Sequence, residues 1–552
     1  MVAYRSIAST NPLIPLLDSQ GLQRADKDSQ RKGVLPEQLM EAAGLGIAHW
    51  ITNFFLGLRG FSYSSGVVED LPILILVGTG NNGADGFVVS RYLVNAGFHV
   101  QVLKVFPRSK GLNEFQNKLA LEHRVAILEI GSDEAFSALQ NASVVVDCIF
   151  GTGVRRTSPD TTAHNTDSTG EVLKQLFLSL SPRAPEVPIA IPFNGTLRIS
   201  VDYPTESIIF TPHFTLMLGA ANYDLYEPAV RPFAGFLMPL IVPFSPAVLE
   251  TCQKGWLVNW AGSRDPGAKD LRLLNDAFQY KKSRGSFGVI GGSLEYPRAP
   301  WLTLHSGIKT GVGLVYTDDN TLGQFEGASS LIPIPTTDKE KFEVFLGLTP
   351  PKVLVVGPGW STQGDFVNSS LLYASILQKI FEIFLDPNKT DHKVLLDAGA
   401  LRTLGSHSEL QEYLMANPKR AERVLLTPHL GELKDFVPHC TLVGARDLVD
   451  RLGVGVLVKY SSMVFLSPKN RLFVWDFPNP IMGFGGSGDI LAGLIGGLGA
   501  RWSNESWETI LRTAVPLYLS VGKELHEVEG FVDGEGFIPY LGKALLCRSL
   551  KI

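Results

Sequence analysis

Leu71-Pro-Ile-Leu-Ile-Leu-Val77 runs without a break into Gly78-Thr-Gly80-Asn-Asn-Gly83-Ala-Asp85-Gly86 and then into Phe87-Val-Val-Ser-Arg-Tyr-Leu93. An apolar run of that length bounded by turn residues reads as a strand buried on both faces, and strand, glycine turn and helix in succession build a parallel sheet covered by helices. Residues 99–105 and 143–147 read as further strands, while residues 16–55 upstream read as helices, with Leu39, Met40, Ala43, Leu45, Ile47 and Ile51 near helical spacing. A second train of strands starts at Ser286-Phe-Gly-Val-Ile-Gly-Gly292 and continues at Val353-Leu-Val-Val356, Val394-Leu-Leu396, Val424-Leu-Leu426 and Val456-Leu-Val458. Residues 244–282 carry no strong period, which places a domain boundary near 250, and the polar stretch 155–171 reads as an exposed loop. The expected fold class is α/β, with two three-layer α/β/α domains over residues 1–250 and 251–552.

Composition agrees with two cores. A chain of 552 residues is too long for one, and 45% hydrophobic with 19% charged residues excludes a disordered or fibrous protein. Lys and Arg number 49 against 54 Asp and Glu, and a net charge of -5 gives no field to hold a polyanion, so no nucleic acid is expected as partner. Cys148, Cys252, Cys440 and Cys547 are far apart and form no C-x-x-C pair, which suits a reducing compartment. No apolar run approaches the ~20 residues of a membrane helix, so the expectation is a cytoplasmic protein without a membrane partner.

The first turn satisfies G-x-G-x-x-G, but the strand that follows ends Val102-Leu-Lys104-Val-Phe-Pro107, without the acid that a dinucleotide fingerprint places there. Asn81, Asn82 and Asp85 add side chains able to bind ribose hydroxyls, an amide or a cation; the bland reading is a turn with Asp85 as helix cap. Val144-Val-Val-Asp147-Cys-Ile-Phe-Gly151-Thr152-Gly153 places a second glycine-rich loop, with an acid, at a strand's C-terminal end, where open α/β sheets bind ligands.

These segments, with Leu39-Met-Glu-Ala-Ala-Gly44 upstream, resemble the Rossmann-like epimerase domain of the NAD(P)H-hydrate repair family. The resemblance implies that Asn81, Asn82, Gly83, Ala84, Asp85, Gly151, Thr152 and Gly153 hold the damaged nucleotide. It further implies that Asn82 and Asp147 bind a potassium ion, with Thr205 standing in for the family's serine oxygen. Two departures stand out. The Asp-x-Pro-Ser-Gly segment is here Asp202-Tyr-Pro204-Thr205-Glu206, and Gly-Ala-Pro-Lys is Gly219-Ala-Ala-Asn222. Epimerisation moves a proton at one carbon; Asn222 has no titratable group for that, which leaves Asp202 as the candidate.

Pro478-Asn-Pro-Ile-Met482-Gly-Phe-Gly485-Gly486-Ser487-Gly488-Asp489-Ile-Leu-Ala-Gly493 opens an apolar helix with a glycine turn. Unpaired amides at such an N-terminus neutralise a phosphoryl group, and Asp489 in the first turn could take a proton from an attacking hydroxyl. A plain helix cap is the bland alternative. Gly-Gly-Ser-Gly-Asp resembles the anion hole of the ribokinase-like superfamily. Gly291-Gly-Ser293, Tyr296-Pro-Arg-Ala299-Pro300, Gly357-Pro-Gly359, Asp397-Ala-Gly-Ala400 and Leu426-Thr-Pro-His429-Leu-Gly-Glu432 narrow the likeness to its NAD(P)H-hydrate dehydratase branch. That resemblance implies that Ala299, Gly359, His429 and Asp489 meet the hydrated nucleotide, NADHX or NADPHX. Lys459, Tyr460, Ser461, Ser462 and Met463, on to Val464, would hold ADP or ATP together with Gly485, Gly486, Ser487 and Gly488. Mg2+ would bridge the phosphates, and a homo-oligomer is expected. Tyr460 replaces a glycine and Gly399 an acid of the family pattern. A small-molecule kinase and a non-catalytic nucleotide-binding scaffold remain as rival readings.

Overall fold

The computed structural model describes residues 11–59, 71–152, 196–205, 211–260, 265–275, 279–322, 330–361, 366–388, 391–478 and 480–550. Gly153, Glu206 and the expected loop 155–171 lie outside them. Two compact units divide after Leu257. A division at residue 250 would cut the helix Pro246–Cys252, which Ser245 caps by accepting the Val248 amide. The boundary therefore lies beyond the sequence expectation, because a seven-residue helix is too short to carry a readable period.

In the first unit β1 (Leu13–Leu17) precedes α1 (Ser19–Arg31) and α2 (Pro36–Arg59), so the expected all-helical lead-in begins with a strand. Asp18 caps α1 by accepting the Gly21 amide at 2.6 Å. β2 (Ile73–Val77) leads into α3 (Asn81–Asn95), followed by β3 (Val100–Lys104), α4 (Leu112–Glu122), β4 (Ala126–Glu129), β5 (Val144–Cys148), β6 (Leu197–Val201), β7 (Phe214–Leu218), β8 (Ala221–Asn222) and β9 (Phe236–Leu240). Seven strands form one parallel sheet in the order β4-β3-β2-β5-β6-β7-β9.

Alternation along β2 makes this a three-layer unit. Ile73, Ile75 and Val77 pack with Ile47, Ile51 and Phe55 of α2 and Phe87 of α3, while Leu74 and Leu76 pack with Ala135, Ala138 and Leu139 of the helix Asp133–Asn141. The chain winds outward from β2 in one direction and from β5 in the other. A crevice therefore opens at their C-terminal ends, beside the two glycine loops.

β10 (Gly255–Val258) ends this stretch of chain. The second unit is built on β11 (Ser286–Ile290), β12 (Leu314–Asp318), β13 (Ile332–Ile334), β14 (Val353–Val356), β15 (Lys393–Leu396), β16 (Val424–Leu426), β17 (Gly455–Lys459), β18 (Ser462–Leu466) and β19 (Leu472–Asp476). They lie side by side in the order β13-β12-β11-β14-β15-β16-β17-β18-β19, parallel up to β17, with β17-β18-β19 an antiparallel meander. β14 to β16 are buried along their whole length, which requires a helical layer on each face. The helices Arg298–Lys309, Ser487–Arg501 and Trp507–Val528 pack together in one layer. Here too the winding reverses, between β11 and β14.

Candidate active sites

The crevice of the first unit is a cavity of about 480 Å³. Asn81, Asn82 and Asp85 line it from the start of α3, Gly151 and Thr152 from the loop after β5, and Asp202 from the corner after β6. Three separate segments of sequence meet there. Gly83 and Ala84 do not line it: Ala84 is buried, and a Cβ on Gly83 would sit 2.0 Å from the Gly78 carbonyl. Both shape the turn from behind. Gln23 and Asp26 of α1 also face the cavity, and Gln23 donates to the Thr152 carbonyl at 2.8 Å. Sequence reasoning missed both, since polar residues on an amphipathic helix look like a solvated face.

Asp202 sits in left-handed backbone, φ 62°, and burial pushes its carboxyl up to about 7, with Asp26 adding to the rise and the Leu218 amide opposing it. Asp85 is raised well above the carboxylate range by burial, then by Asp202 and Asp26. A Cβ on Gly151 would come within 3.2 Å of Asp202 Oδ2, so glycine keeps that carboxylate reachable. Asn222 is 1% exposed and outside the cavity; its Oδ1 accepts the Asp224 amide at 3.0 Å and caps a short turn. The residue at the family's lysine position is a structural cap in this chain.

Asp147 is fully buried among neutral donors: the Ile149 amide, the Ser200 hydroxyl, and both the amide and hydroxyl of Thr205, the last at 2.7 Å. Asn82 donates to the Phe150 carbonyl at 2.8 Å, and its buried Oδ1 has no partner. An orphaned amide oxygen and a buried acid without a basic partner are the chemistry that a monovalent cation satisfies.

In the second unit the helix Ser487–Arg501 starts from Gly486 at φ 88°, with no side chain capping it. The Ser487 amide donates to the Phe484 carbonyl at 3.3 Å, and the Gly488 and Asp489 amides that follow, uncapped by any side chain, are the ones available to an anion. Gly485 has open space around its α-carbon, and a Cβ on Gly488 would lie 3.3 Å from Lys459 Nζ. Lys459 at the end of β17 pairs with Asp397 after β15 at 2.7 Å, and Thr427 after β16 donates to the same oxygen at 2.8 Å. Burial works against the lysine's charge, and Asp397 and Glu432 more than offset it. Burial first, then Asp397, pushes Asp489 up to about 7, with Lys459 opposing. Asp397 went without a role at sequence level, where only its motif was noticed.

His429 Nδ1 accepts the Gly431 amide at 2.9 Å and the Glu432 amide at 3.2 Å, and Glu432 answers with a bond to the His429 amide. In the neutral ring the proton is thereby assigned to Nε2, on a side chain that is 58% exposed. His429 is thus a cap whose Nε2 lies 3.4 Å from Glu432 Oε1 on an exposed side chain. Gly359, φ 74°, brings its α-carbon against Ala299, with 3.1 Å from a built Cβ to the Ala299 methyl.

The hairpin after Lys459 differs in part from expectation. Ser462 is 2% exposed and its hydroxyl donates to Asp476 at 2.7 Å, so that side chain is spent inside the hairpin, while Ser461 is exposed. Tyr460 is absent from the positive-φ residues, which explains why the turn tolerates it in place of glycine. Gly399 has a different reason: a Cβ there would lie 2.5 Å from Trp360 Cβ, and Trp360 is stacked on Tyr373 at 4.2 Å. Restoring the family acid by Gly399→Asp is expected to destabilise the second unit by about 2–3 kcal/mol through overpacking and a buried carboxylate, read as a lower unfolding midpoint.

Family models match the chain twice: the YjeF-related protein N-terminus over residues 36–185, and NAD(P)H-hydrate dehydratase over residues 287–511. The bifunctional NAD(P)H-hydrate repair enzyme Nnr of Dictyoglomus turgidum is 25% identical over 523 residues, 92% of this chain and 93% of that one. Its namesake in Thermanaerovibrio acidaminovorans is 27% identical over 550 residues, 94% and 95% of the two chains. The ADP/ATP-dependent NAD(P)H-hydrate dehydratase of Bacillus subtilis, co-crystallised with ATP/Mg2+, aligns at 21% identity with TM-score 0.38, covering 50% of this chain and 96% of that one. Among the described residues no helix is long and apolar enough to cross a membrane. With one family model on each unit, and relatives alike along nine-tenths of both lengths, the chain is similar in both its units to bifunctional NAD(P)H-hydrate repair enzymes.

Proposed function

We propose that this chain restores hydrated reduced nicotinamide nucleotides, the second unit dehydrating the S epimer at the expense of ADP or ATP and the first interconverting the R and S epimers. The observation that carries the reading is the uncapped N-terminus of the helix Ser487–Arg501, with Asp489 beside the Lys459–Asp397 pair at the C-terminal edge of the sheet. Hydroxide leaves a ring carbon poorly. Asp489 takes the proton from the ring hydroxyl as its oxygen bonds to the terminal phosphorus, and the nucleotide departs shortened by one phosphate. Amides of the Gly485 to Gly488 turn other than that of Ser487, which donates to the Phe484 carbonyl, receive the phosphoryl oxygens, and His429, whose Nε2 lies 3.4 Å from Glu432 Oε1, meets the substrate with its exposed ring. Electrons of the ring nitrogen then expel phosphate, and loss of a proton from the adjacent carbon completes the reduced ring.

Magnesium, when bound, neutralises the nucleotide phosphates. Among the described residues no group of three acids, histidines or cysteines could hold a metal, which agrees with an ion carried mainly by the phosphates. In the first unit Asn82, Asp147 and Thr205 would hold potassium, whose charge would balance the buried acid. The buried, unpaired thiols of Cys148 and Cys252 support a cytoplasmic setting.

The test follows absorbance of the reduced nicotinamide band after adding ADP or ATP with magnesium to an equal mixture of epimers. Complete recovery, faster than spontaneous epimerisation permits, is expected. Rapid recovery of only half would remove the first unit's activity, and accumulation of a stable phosphorylated product would make the second unit a simple kinase.

A further inference from the structure

Two carboxyl groups, those of Asp85 and Asp202, line the first unit's cavity. Asp85 is 7% exposed and lines the cavity, and its carboxyl makes no hydrogen bond with any described residue. Asp202 approaches from the opposite loop, its carboxylate beside Gly151 and held by the Leu218 amide. Among the described lining residues there is no lysine, arginine or histidine. The charged and titratable groups that reach the pair are Asp26 from α1, whose Oδ2 accepts Gln30 at 3.2 Å, and the Cys148 thiol from β5. The orphaned, buried Asn82 Oδ1 at the same cavity marks it independently as a ligand site.

We propose that Asp85 and Asp202 are the proton-transfer pair of the first unit, one carboxylic acid and one carboxylate, replacing the lysine that Asn222 has displaced. This rests on the reading of that unit as an epimerase. Two acids that face one cavity and raise one another, with no lysine, arginine or histidine lining it, favour sharing a single negative charge. The hydroxyl-bearing carbon of the substrate is also bonded to the ring nitrogen, so it is a carbinolamine carbon and inverts by ring opening. Asp202 carboxylate takes the hydroxyl proton, the carbon–oxygen bond becomes a carbonyl, and the carbon–nitrogen bond breaks. Its electron pair goes to nitrogen, which Asp85 protonates. Rotation exposes the other face of the aldehyde; nitrogen adds back, returns its proton to Asp85, and the new alkoxide recovers its proton from Asp202. No oxidant or co-reactant enters.

The experiment uses the full chain without ADP or ATP, so that the second unit is idle, and follows conversion of the purified R epimer to S by chromatography. Asp85→Asn and Asp202→Asn are each expected to slow the catalysed rate by about 100-fold or more while leaving substrate affinity within a few-fold. Asn is chosen at position 202 because it tolerates left-handed backbone. Asp85→Ala is expected to regain rate when formate is supplied, a response that a purely structural residue would not give. A wild-type rate equal to that in buffer would end both the epimerase reading and the pair. Wild-type catalysis that persists in Asp85→Asn, or a loss of rate that tracks lost affinity and resists formate, would overturn the pair alone.

Discussion

Asp489→Asn is expected to lower the dehydration rate by roughly 10³-fold while the affinity for ADP or ATP stays within a few-fold of wild type. General-base removal costs about 10²–10⁴, and the amides that receive the phosphates belong to the main chain, which this substitution leaves in place. Asparagine keeps the shape of the first turn, including the 2.8 Å bond from Tyr518 to the Ser487 carbonyl that anchors it. The pH dependence gives a second readout. Asp489 is raised to about 7 by burial and by the Asp397 carboxylate, so it acts as a base only above that pH. Wild-type turnover should fall as pH drops through 7, approaching about tenfold per unit, and the residual rate of the variant should lack that limb. A variant turning over at the wild-type rate would remove Asp489 from the chemistry.

Lys459→Met should destabilise the second unit by about 3–5 kcal/mol, because it strands a carboxylate whose charge the lysine balances. Asp397 is 3% exposed, and its remaining partner in that cluster, the Thr427 hydroxyl, is neutral. Chemical denaturation of the full chain checks this through the transition assigned to the second unit. The double variant Lys459→Met with Asp397→Asn should recover most of the loss, since both charges leave together. An unchanged midpoint in the single variant would show that the Lys459–Asp397 pair contributes nothing to the stability of the second unit. The same substitution is expected to weaken nucleotide affinity, as Lys459 Nζ stands close to the Gly488 α-carbon.

Both predictions concern residues whose type was legible in the amino-acid order and whose partners were not. The turn Gly485 to Asp489 announced itself because glycines ahead of an apolar helix leave amides uncovered wherever they occur. Asp397 and Lys459 are 62 residues apart and meet only because β15, β16 and β17 are laid side by side. Gly399 looked like a lost acid, yet Trp360 fills the space that any side chain there would need. Asn222 likewise looked like a damaged catalytic position, and it is a buried cap.

Local order by itself determined the strand–turn–helix rhythm, the presence of two α/β domains and the loops that would carry chemistry, since apolar periodicity and glycine turns act over a few residues. Only the tertiary structure decided which acids share a cavity, where the first unit ends, and that Gly83 and Ala84 support their turn from behind. Those outcomes depend on burial and on charges brought together across sheets, and such energies belong to the folded arrangement of distant segments.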